Sequence, residues 1–214
     1  VKKVLTVHDL ALLINPKWGS RKNAIMQNIF CRLSCKQADK IIAVSEATKK
    51  DICELMRIDE KKVQVVYNGG GRNEVKPFDS EEEQIIRNRI KLSNKPFFAF
   101  VGNIEPRKNI LSIIKAFDLL NEQTDTDCEL VLAGKFGWRT GKIVEAINKS
   151  KNKKKIKLPG YISNREKEYL MGKSCAFVFP SNYEGFGIPI VEALSYGGIV
   201  LTSSNSSLCE VGGK

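Results

Sequence analysis

Residues 175–196, CAFVFPSNYEGFGIPIVEALSY, constrain the fold of this chain more than any other stretch. The apolar run 176–179 is short and is bounded by turn-forming residues, which is typical of a buried strand. The apolar positions of residues 188–194 then follow helical spacing, and Pro189 falls in the first turn, where its missing N–H costs nothing. The stretch therefore predicts a strand, an acidic loop and a helix. In an open parallel sheet such a loop lies at the carboxyl edge of the strands, where ligands bind.

Two carboxylates belong to this stretch, Glu184 in the loop and Glu192 early in the helix, with seven residues between them. Gly185 and Gly187 expose the backbone, and the N–H groups of a helix N-terminus attract anions or hydroxyl oxygens. A carboxylate beside such donors suits a ligand rich in hydroxyl groups, because it accepts from the O–H groups while the N–H groups donate to the oxygens. The alternative is an ordinary strand, loop and helix with two solvated glutamates.

The sequence of residues 184–194, EGFGIPIVEAL, resembles the Glu-x7-Glu signature of the family 4 glycosyltransferases, which are retaining enzymes of the GT-B fold. The resemblance implies an α/β fold of GT-B type, in which two Rossmann-like lobes with parallel sheets lie on either side of a cleft. Strands alternate with helices along the chain, and this alternation by itself also predicts parallel sheets with helices on both faces.

The chain is predicted to divide into an acceptor-side lobe, a connecting segment and a donor-side lobe. Residues 1–73 form the C-terminal part of the N-terminal lobe, residues 74–95 an interdomain segment with a charged helix, and residues 96–214 the lobe that binds the nucleotide sugar. The loop signal is strongest at residues 67–71, YNGGG, which places the boundary there. Compared with the family pattern, the first lobe is partial and the second is nearly complete but truncated, so we expect a fragment.

Helix starts are predicted from capping patterns. Polar residues that precede helically spaced apolar residues are predicted N-caps, namely Ser20, Ser45 and Asn109. A serine followed three residues later by a glutamate predicts a capping box, and this occurs at Ser80 with Glu83 and at Ser163 with Glu166. The helix after Ser20 is indicated by apolar residues at helical spacing, namely Ile25, Met26, Ile29, Phe30 and Leu33.

Residues 102–109, GNIEPRKN, follow a predicted strand and open a predicted helix. Arg107 and Lys108 therefore fall at a helix N-terminus on the carboxyl edge of the sheet. Two cations together with backbone N–H groups form an anion site, for which a diphosphate is a natural ligand. The alternative is a basic surface turn.

The same residues resemble a Glu-Pro-Arg-Lys-Asn subgroup of the family that includes mannosyltransferases of surface-polysaccharide assembly. In the family, an arginine and a lysine at this place bind the pyrophosphate of the donor, which implies this role for Arg107 and Lys108. Many relatives carry an arginine directly after the glycine, where this chain has Asn103. Lys108 is therefore the firmer assignment, and Asn103 is a predicted donor contact.

His8 is the only histidine, and a lone histidine near a strand end is more often structural than catalytic. Its setting, Val7-His8-Asp9, resembles the His-Asp at a strand end of the family, which implies that His8 faces the donor sugar across the cleft. The turn that contains Tyr161 and Ile162 resembles the one that contacts the nucleobase, mainly through backbone atoms. The alternative for this turn is a plain start of a helix.

The net charge is +11, and six lysines fall within residues 149–157. Such runs are often only a solvated surface, but they also attract anionic lipid headgroups, with roughly 1 kcal/mol per lysine near the surface. No basic stripe with interleaved aromatic residues accompanies the charge, so nucleic acid is not expected as a partner. No apolar run approaches the ~20 residues of a membrane span. We therefore expect a cytoplasmic protein, with peripheral contact to the inner face of an anionic membrane as an open possibility.

No metal site or cofactor motif is indicated. The six cysteines contain no Cys-x-x-Cys pair and have only His8 as a further ligand, which disfavours zinc. A P-loop is excluded because only three residues separate Gly137 from Gly141 and Ile143 stands where a serine or threonine must bind magnesium. A nicotinamide-dinucleotide motif is likewise unsupported. We expect a metal-independent protein without a cofactor, whose donor substrate is a nucleotide diphosphate sugar.

The resemblance implies a retaining hexosyltransferase that transfers a sugar to a glycan or lipid-linked acceptor in surface polysaccharide or glycoconjugate biosynthesis. The resemblance to the Glu-Pro-Arg-Lys-Asn subgroup implies that this sugar is mannose. Lys108 and Arg107 would stabilise the departing diphosphate. Glu184 and the N–H groups of residues 185–187, which include Phe186, would bind the sugar, and Glu192 would accept from the ribose hydroxyls. Two alternatives remain open, a non-catalytic fragment that binds nucleotide sugars and another GT-B enzyme such as a nucleotide-sugar epimerase.

Overall fold

The computed structural model describes residues 1–70 and 76–213. The chain forms two compact units, the first made of residues 1–69, 182–188 and 204–214 and the second of residues 70–181 and 189–203. After entering the second unit, the chain therefore returns to the first one twice. Gly71 and the predicted boundary between residues 73 and 74 lie outside the described residues.

The first unit is built on a three-stranded parallel sheet with the order β1-β2-β3. Its strands are β1 (Val4–Val7), β2 (Lys40–Ala43) and β3 (Val63–Val65). The helices along this part of the chain are α1 (Ala11–Ile14), α2 (Arg21–Gln37) and α3 (Glu46–Met56). Strands and helices share one apolar core, in which Leu10, Ile41 and Ile52 are fully buried.

Ser20 and Ser45 cap helices as predicted. Ser20 Oγ accepts from the N–H of Asn23 (3.1 Å), and Ser45 Oγ accepts from the N–H of Thr48 (2.9 Å). The apolar residues that indicate α2 in the sequence nevertheless remain about half exposed, at 46–56%: Ile25, Met26, Ile29, Phe30 and Leu33. The buried residues of this helix are Ala24 and Cys35, so the residues that reveal the helix are not the ones that attach it to the core.

The second unit contains a five-stranded parallel sheet with the order β6-β5-β4-β7-β8. Its strands are β4 (Phe97–Val101), β5 (Glu129–Ala133), β6 (Ile156–Gly160), β7 (Ala176–Phe179) and β8 (Val200–Thr202). Its helices are α4 (Ser80–Ile90), α5 (Ile110–Gln123), α6 (Gly141–Lys149), α7 (Asn164–Lys173) and α8 (Ile188–Ser195). The chain runs outward from β4 to β6, crosses back to β7 and continues to β8. The carboxyl ends of β4 and β7 thus form a topological switch point, where open α/β sheets bind ligands.

The two predicted capping boxes have different outcomes. At α7 the box is present, since Ser163 Oγ accepts from the N–H of Glu166 and the Glu166 carboxylate accepts from the N–H of Ser163. At α4 the prediction is wrong, because the N-cap is Asp79, whose carboxylate accepts from the N–H of Glu82 (2.8 Å). Ser80 is already inside the helix, because the chain leaves the extended conformation one residue earlier than the box pattern predicts.

Asn109 stands at the N-cap of α5, but its side chain does not cap the helix. Its backbone is left-handed, with φ of 57°, and its side-chain amide oxygen Oδ1 accepts from the hydroxyl of Ser112 (2.7 Å). The residue instead links α5 to the single 3-10 turn Pro106–Lys108 that precedes it.

The lysine run carries less free charge than its sequence indicates. Four of its lysines form ion pairs of 2.7–3.2 Å within the second unit: Lys149 with Glu145, Lys151 with Glu122, Lys155 with Asp127 and Lys157 with Glu129. Most of the run is therefore a neutralised surface around the start of β6. Across residues 1–70 and 76–213, no helix has the length and apolar character needed to cross a membrane.

Candidate functional site

The loop of residues 182–188 belongs to the first unit and carries Glu184, which is only 8% exposed. Hydroxyl groups hold its backbone. The N–H of Glu184 donates to Ser206 Oγ (3.1 Å), and the carbonyl of Gly185 accepts from Ser45 Oγ (2.6 Å). These bonds fix the backbone from which the Glu184 carboxylate extends.

The same loop lies directly against the end of β1. A Cβ atom on Gly185 would be 1.8 Å from the carbonyl oxygen of His8 and 2.8 Å from Cβ of Asp9. Only glycine fits there, because both distances are well inside van der Waals contact. The structure therefore brings together His8 and the Glu184 loop, two elements that are far apart in the sequence.

Tyr183 anchors the loop on its other side. Its hydroxyl donates to the Asp51 carboxylate (2.7 Å), and its ring stacks on Trp18 with centroids 6.2 Å apart. Burial raises the pKa of Tyr183, and the neighbouring Asp51 carboxylate raises it further, so the phenol stays protonated and donates. Burial also raises the pKa of Asp51, although the hydrogen bond from Tyr183 opposes that shift. Sequence reasoning missed this pair, whose members are 132 positions apart.

Glu210 is a second residue that the sequence analysis did not identify. It belongs to the short helix α9 (Leu208–Val211) of the first unit. Its carboxylate accepts from the N–H groups of Glu46 and Ala47, both at 3.0 Å, at the start of α3. A carboxylate of the protein therefore already occupies the N-terminus of α3, where the positive end of the helix dipole stabilises a negative charge.

In the second unit, Lys108 lies beyond the carboxyl end of β4 and is 8% exposed. Its ammonium nitrogen is 4.8 Å from the ring centroid of Phe179, the last residue of the neighbouring strand β7. This cation–π contact holds a buried cation at the switch point of the sheet. Arg107 lies beside it, and its guanidinium forms an ion pair with the Glu105 carboxylate (3.0 Å).

Glycine residues follow or end the three strands on this side of the sheet. A Cβ atom on Gly134 would be 1.9 Å from the carbonyl oxygen of Gly102, and φ of Gly134 is +138°. The N–H of Gly134 donates to the carbonyl of Gly160 at the end of β6 (2.8 Å). The carboxyl edge beside Lys108 is therefore free of side chains at these positions. The sequence analysis gave Gly134 no role; its place directly after the apolar run of residues 130–133 was the available signal.

The remaining predicted donor contacts differ in how accessible they are. Tyr161 is 72% exposed, and the ammonium of Lys135 is 5.7 Å from its ring centroid. Ile162 is buried, so only its backbone could reach a ligand. Glu192 accepts from the ammonium of Lys167 at 2.5 Å, and Asn103 is exposed.

The predicted residues thus fall into one group per unit. The first unit holds His8, Glu184, Gly185, Phe186 and Gly187, and the second holds Asn103, Arg107, Lys108, Tyr161, Ile162 and Glu192. The first group offers a carboxylate and backbone groups, and the second offers two cations, an exposed aromatic ring and a carboxylate. Within the described ranges, no cluster of three or more His, Cys, Asp or Glu side chains is arranged to bind a metal ion.

Two family models cover most of the chain. Residues 81–213 match the model described as Glycosyl transferases group 1, and residues 1–69 match the model described as Glycosyltransferase Family 4. The chain belongs to the group 1 glycosyltransferases. The predicted family is therefore confirmed, whereas the Glu-Pro-Arg-Lys-Asn subgroup stays a prediction.

Among characterised relatives of this glycosyltransferase chain is the O-antigen chain mannosyltransferase B of Escherichia coli. It is 28% identical over 212 residues, which cover 99% of this chain and 55% of that protein. The O-antigen chain mannosyltransferase RfbU of Salmonella typhimurium is 25% identical over 205 residues, covering 94% of this chain and 52% of the relative. The chain thus spans about half the length of these relatives.

A crystal structure of Anabaena HepE in complex with UDP-glucose is similar in fold. It matches with a TM-score of 0.77 and 21% identity, covering 98% of this chain and 55% of HepE. Together with the parallel sheets of both units, this likeness confirms the predicted α/β fold of GT-B type for the glycosyltransferase.

Proposed function

We propose that this chain carries the donor-binding part of a retaining hexosyltransferase that takes its sugar from a nucleotide diphosphate. The observation that carries the proposal is Lys108, a buried ammonium at the topological switch point of the second unit. The contact with the Phe179 ring holds this ammonium at the edge of the sheet where open α/β folds bind ligands. A diphosphate bound at this edge would pair its negative charge with the ammonium.

In the proposed reaction, the bond between the sugar and the diphosphate breaks and negative charge grows on the leaving group. Lys108 and Arg107 stabilise that charge, which is electrostatic catalysis of leaving-group departure. Glu105 keeps Arg107 oriented through its ion pair. Because these side chains supply the positive charge, the proposed reaction requires neither a metal ion nor a cofactor.

Glu184 and the N–H groups of residues 185–187 bind the hydroxyl oxygens of the transferred sugar, and His8 contributes from the end of β1. The close approach of Gly185 to His8 supports a shared role for these elements. No side chain is assigned as a nucleophile. We therefore favour, by family resemblance, a front-face reaction in which the donor phosphate takes the proton of the acceptor hydroxyl and the anomeric configuration is retained.

The nucleoside is assigned to the second unit. Tyr161 offers an exposed aromatic face for the base, and the backbone of Ile162 lies next to it. Glu192 accepts from the ribose hydroxyls while its ion pair with Lys167 orients the carboxylate. Asn103, exposed just beyond β4, is a further donor contact.

Mannose is the favoured sugar, and a glycan or lipid-linked molecule of surface polysaccharide assembly is the favoured acceptor. Support comes from the similarity to the two O-antigen chain mannosyltransferases and from the Glu-Pro-Arg-Lys-Asn sequence of residues 105–109. The ion pairs formed by lysines of the run leave less free charge for an anionic membrane, so they reduce the support for the predicted peripheral contact.

The proposal is tested by measuring the thermal shift and sugar transfer of the full chain with GDP-mannose, UDP-glucose and related donors. We expect stabilisation by at least one nucleotide sugar, and loss of that shift in Lys108→Ala but not in Lys115→Ala, an exposed lysine on α5. Equal shifts in the two variants would refute the assigned anion site. Binding without transfer to any acceptor would favour the non-catalytic alternative, and formation of an epimer from labelled donor alone would favour an epimerase.

A further inference from the structure

Two buried hydroxyl groups donate hydrogen bonds to one carbonyl oxygen in the Glu184 loop, residues 182–188. Ser45 Oγ is 2.6 Å and Thr48 Oγ1 is 3.0 Å from the oxygen of Gly185, and both side chains are fully buried. Ser45 Oγ also accepts from the N–H of Thr48, so its one proton is available for Gly185. A carbonyl oxygen has two lone pairs, and the two hydroxyls together satisfy both.

A third buried hydroxyl serves the carbonyls on either side. Ser207 Oγ lies 2.9 Å from the oxygen of Glu184 and 2.8 Å from that of Phe186, and the side chain is fully buried. Its single proton is shared between these two acceptors. Three consecutive carbonyls of the loop therefore point toward hydroxyl groups inside the first unit.

The direction of these carbonyls sets the direction of the next N–H groups. In a planar trans peptide the C=O and the following N–H point to opposite sides. The N–H groups of Gly185, Phe186 and Gly187 consequently point away from the buried hydroxyls. Among the hydrogen bonds of the described residues, none is donated by these three N–H groups.

We propose that Ser45, Thr48 and Ser207 are positioning residues that aim these N–H groups at the oxygens of the donor sugar or of its leaving phosphate. The inference rests on the proposed function for its ligand. The hydroxyls do not touch the donor and act only through the peptide groups that they orient. Preorganised N–H donors of this kind stabilise developing negative charge without reorganisation during the reaction.

Thr48 offers the sharpest test, because valine has the same shape but lacks the hydroxyl. Thr48→Val removes a hydrogen bond to Gly185 and leaves the Ser45 cap of α3 in place, whereas Thr48→Ser keeps the hydroxyl and serves as the matched control. In the full chain we expect Thr48→Val to lower kcat about tenfold, with KM for the donor little changed. This is less than the ~10²–10³ lost when one such donor is removed completely, because the N–H groups stay present but are held less firmly. Thr48→Ser should keep most of kcat. Ser207→Ala should give a larger loss of kcat, because two carbonyls lose their donor.

A second measurement does not depend on turnover. The ¹⁵N order parameters of the amides of residues 185–187 should fall in Thr48→Val but not in Thr48→Ser, while thermal unfolding of the two variants stays similar. Equal kcat values and equal order parameters in both variants would overturn the proposal, as would equal losses in both. If the wild-type chain transfers sugar from no donor, the proposed function fails. The order parameters then decide by themselves whether the hydroxyls orient the loop.

Discussion

The two units assemble their candidate binding groups in different ways. In the second unit, Lys108 and Arg107 come from one continuous strand, turn and helix, residues 97–123. In the first unit, the Glu184 loop meets partners from residues 8–9, 45–48 and 206–207. A site within one local unit can be predicted from local patterns. A site assembled from distant segments depends on packing that no local pattern encodes.

The chemistry of the two groups differs as well. The second unit offers cations, each held by an aromatic ring or a carboxylate. The first unit offers a carboxylate on a backbone held by neutral hydroxyls. The cations of the second unit suit an anionic ligand, and its binding should weaken as salt is added. The groups of the first unit suit sugar hydroxyls, and their binding should depend little on salt because neutral hydrogen bonds are little screened.

The largest expected effects come from removing one functional group in each unit. We expect Lys108→Ala and Glu184→Gln each to lower sugar transfer by at least about 100-fold, in line with the loss of one preorganised electrostatic contact. Calorimetry with the nucleoside diphosphate should separate them. Lys108→Ala should weaken its binding and reduce the salt dependence, while Glu184→Gln should leave both unchanged. The same response in both variants would remove the distinction between the two groups.

Two glycines test the close backbone approaches of the two units. Gly185→Ala places a Cβ atom 1.8 Å from the oxygen of His8, and Gly134→Ala places one 1.9 Å from the oxygen of Gly102. Each substitution should cost about 1–3 kcal/mol of unfolding free energy, as overpacking does, and should abolish most transfer. Gly141→Ala is the control, because nothing lies within 4 Å of its added Cβ. Denaturant unfolding measures all three, and wild-type stability in Gly185→Ala would contradict the packing of the loop against β1.

Two carboxyl groups should respond to pH with opposite signs. Burial alone would raise the pKa of Glu129, but the Lys157 ammonium and the N–H and hydroxyl of Ser93 lower it below its usual value. Glu129 therefore stabilises the fold above the unfolded-state pKa, and this contribution disappears as pH falls through the lowered folded-state value. Burial raises the pKa of Asp51, so its ionisation opposes folding as pH rises through the raised value.

The corresponding variants are Glu129→Gln and Asp51→Asn. At pH 7 we expect Glu129→Gln to lose roughly 2 kcal/mol, since its carboxylate accepts charge-assisted hydrogen bonds, and we expect this difference from wild type to shrink below about pH 4. Asp51→Asn keeps an acceptor for Tyr183 and should be neutral or stabilising at pH 7. Urea unfolding at several pH values measures both variants, and losses of the same sign in both at pH 7 would contradict these shifts.

The smallest effect is expected from the lysine run. Replacing Lys149, Lys151 and Lys155 by glutamine should change co-sedimentation with vesicles of anionic phospholipid by less than about threefold, because charges that already form ion pairs contribute little. Neutral vesicles are the control. A loss of binding much larger than this, confined to anionic vesicles, would establish the run as a membrane contact.

The sequence analysis predicted parallel sheets from the alternation of strands with helices, and it predicted the strand at residues 176–179 because a short apolar run between turn signals is typical of a buried parallel strand. It also predicted where Lys108 and Glu184 fall along the chain, since each follows a strand. It did not predict the bond from Tyr183 to Asp51 or the contact of Glu210 with α3, because these pairs are 132 and 164 positions apart. The N-cap at Asp79 was missed because Ser80 and Glu83 also fit a capping pattern one residue later.

The most direct test of the proposed donor site is a crystal structure of the full chain with an intact nucleotide sugar. We expect diphosphate oxygens at about 3 Å from Lys108 Nζ, the distance of a charge-assisted hydrogen bond, and sugar hydroxyls on Glu184 and the N–H groups of residues 185–187. Density for the nucleotide sugar away from Lys108, or a sugar that leaves Glu184 without contact, would contradict the proposed site.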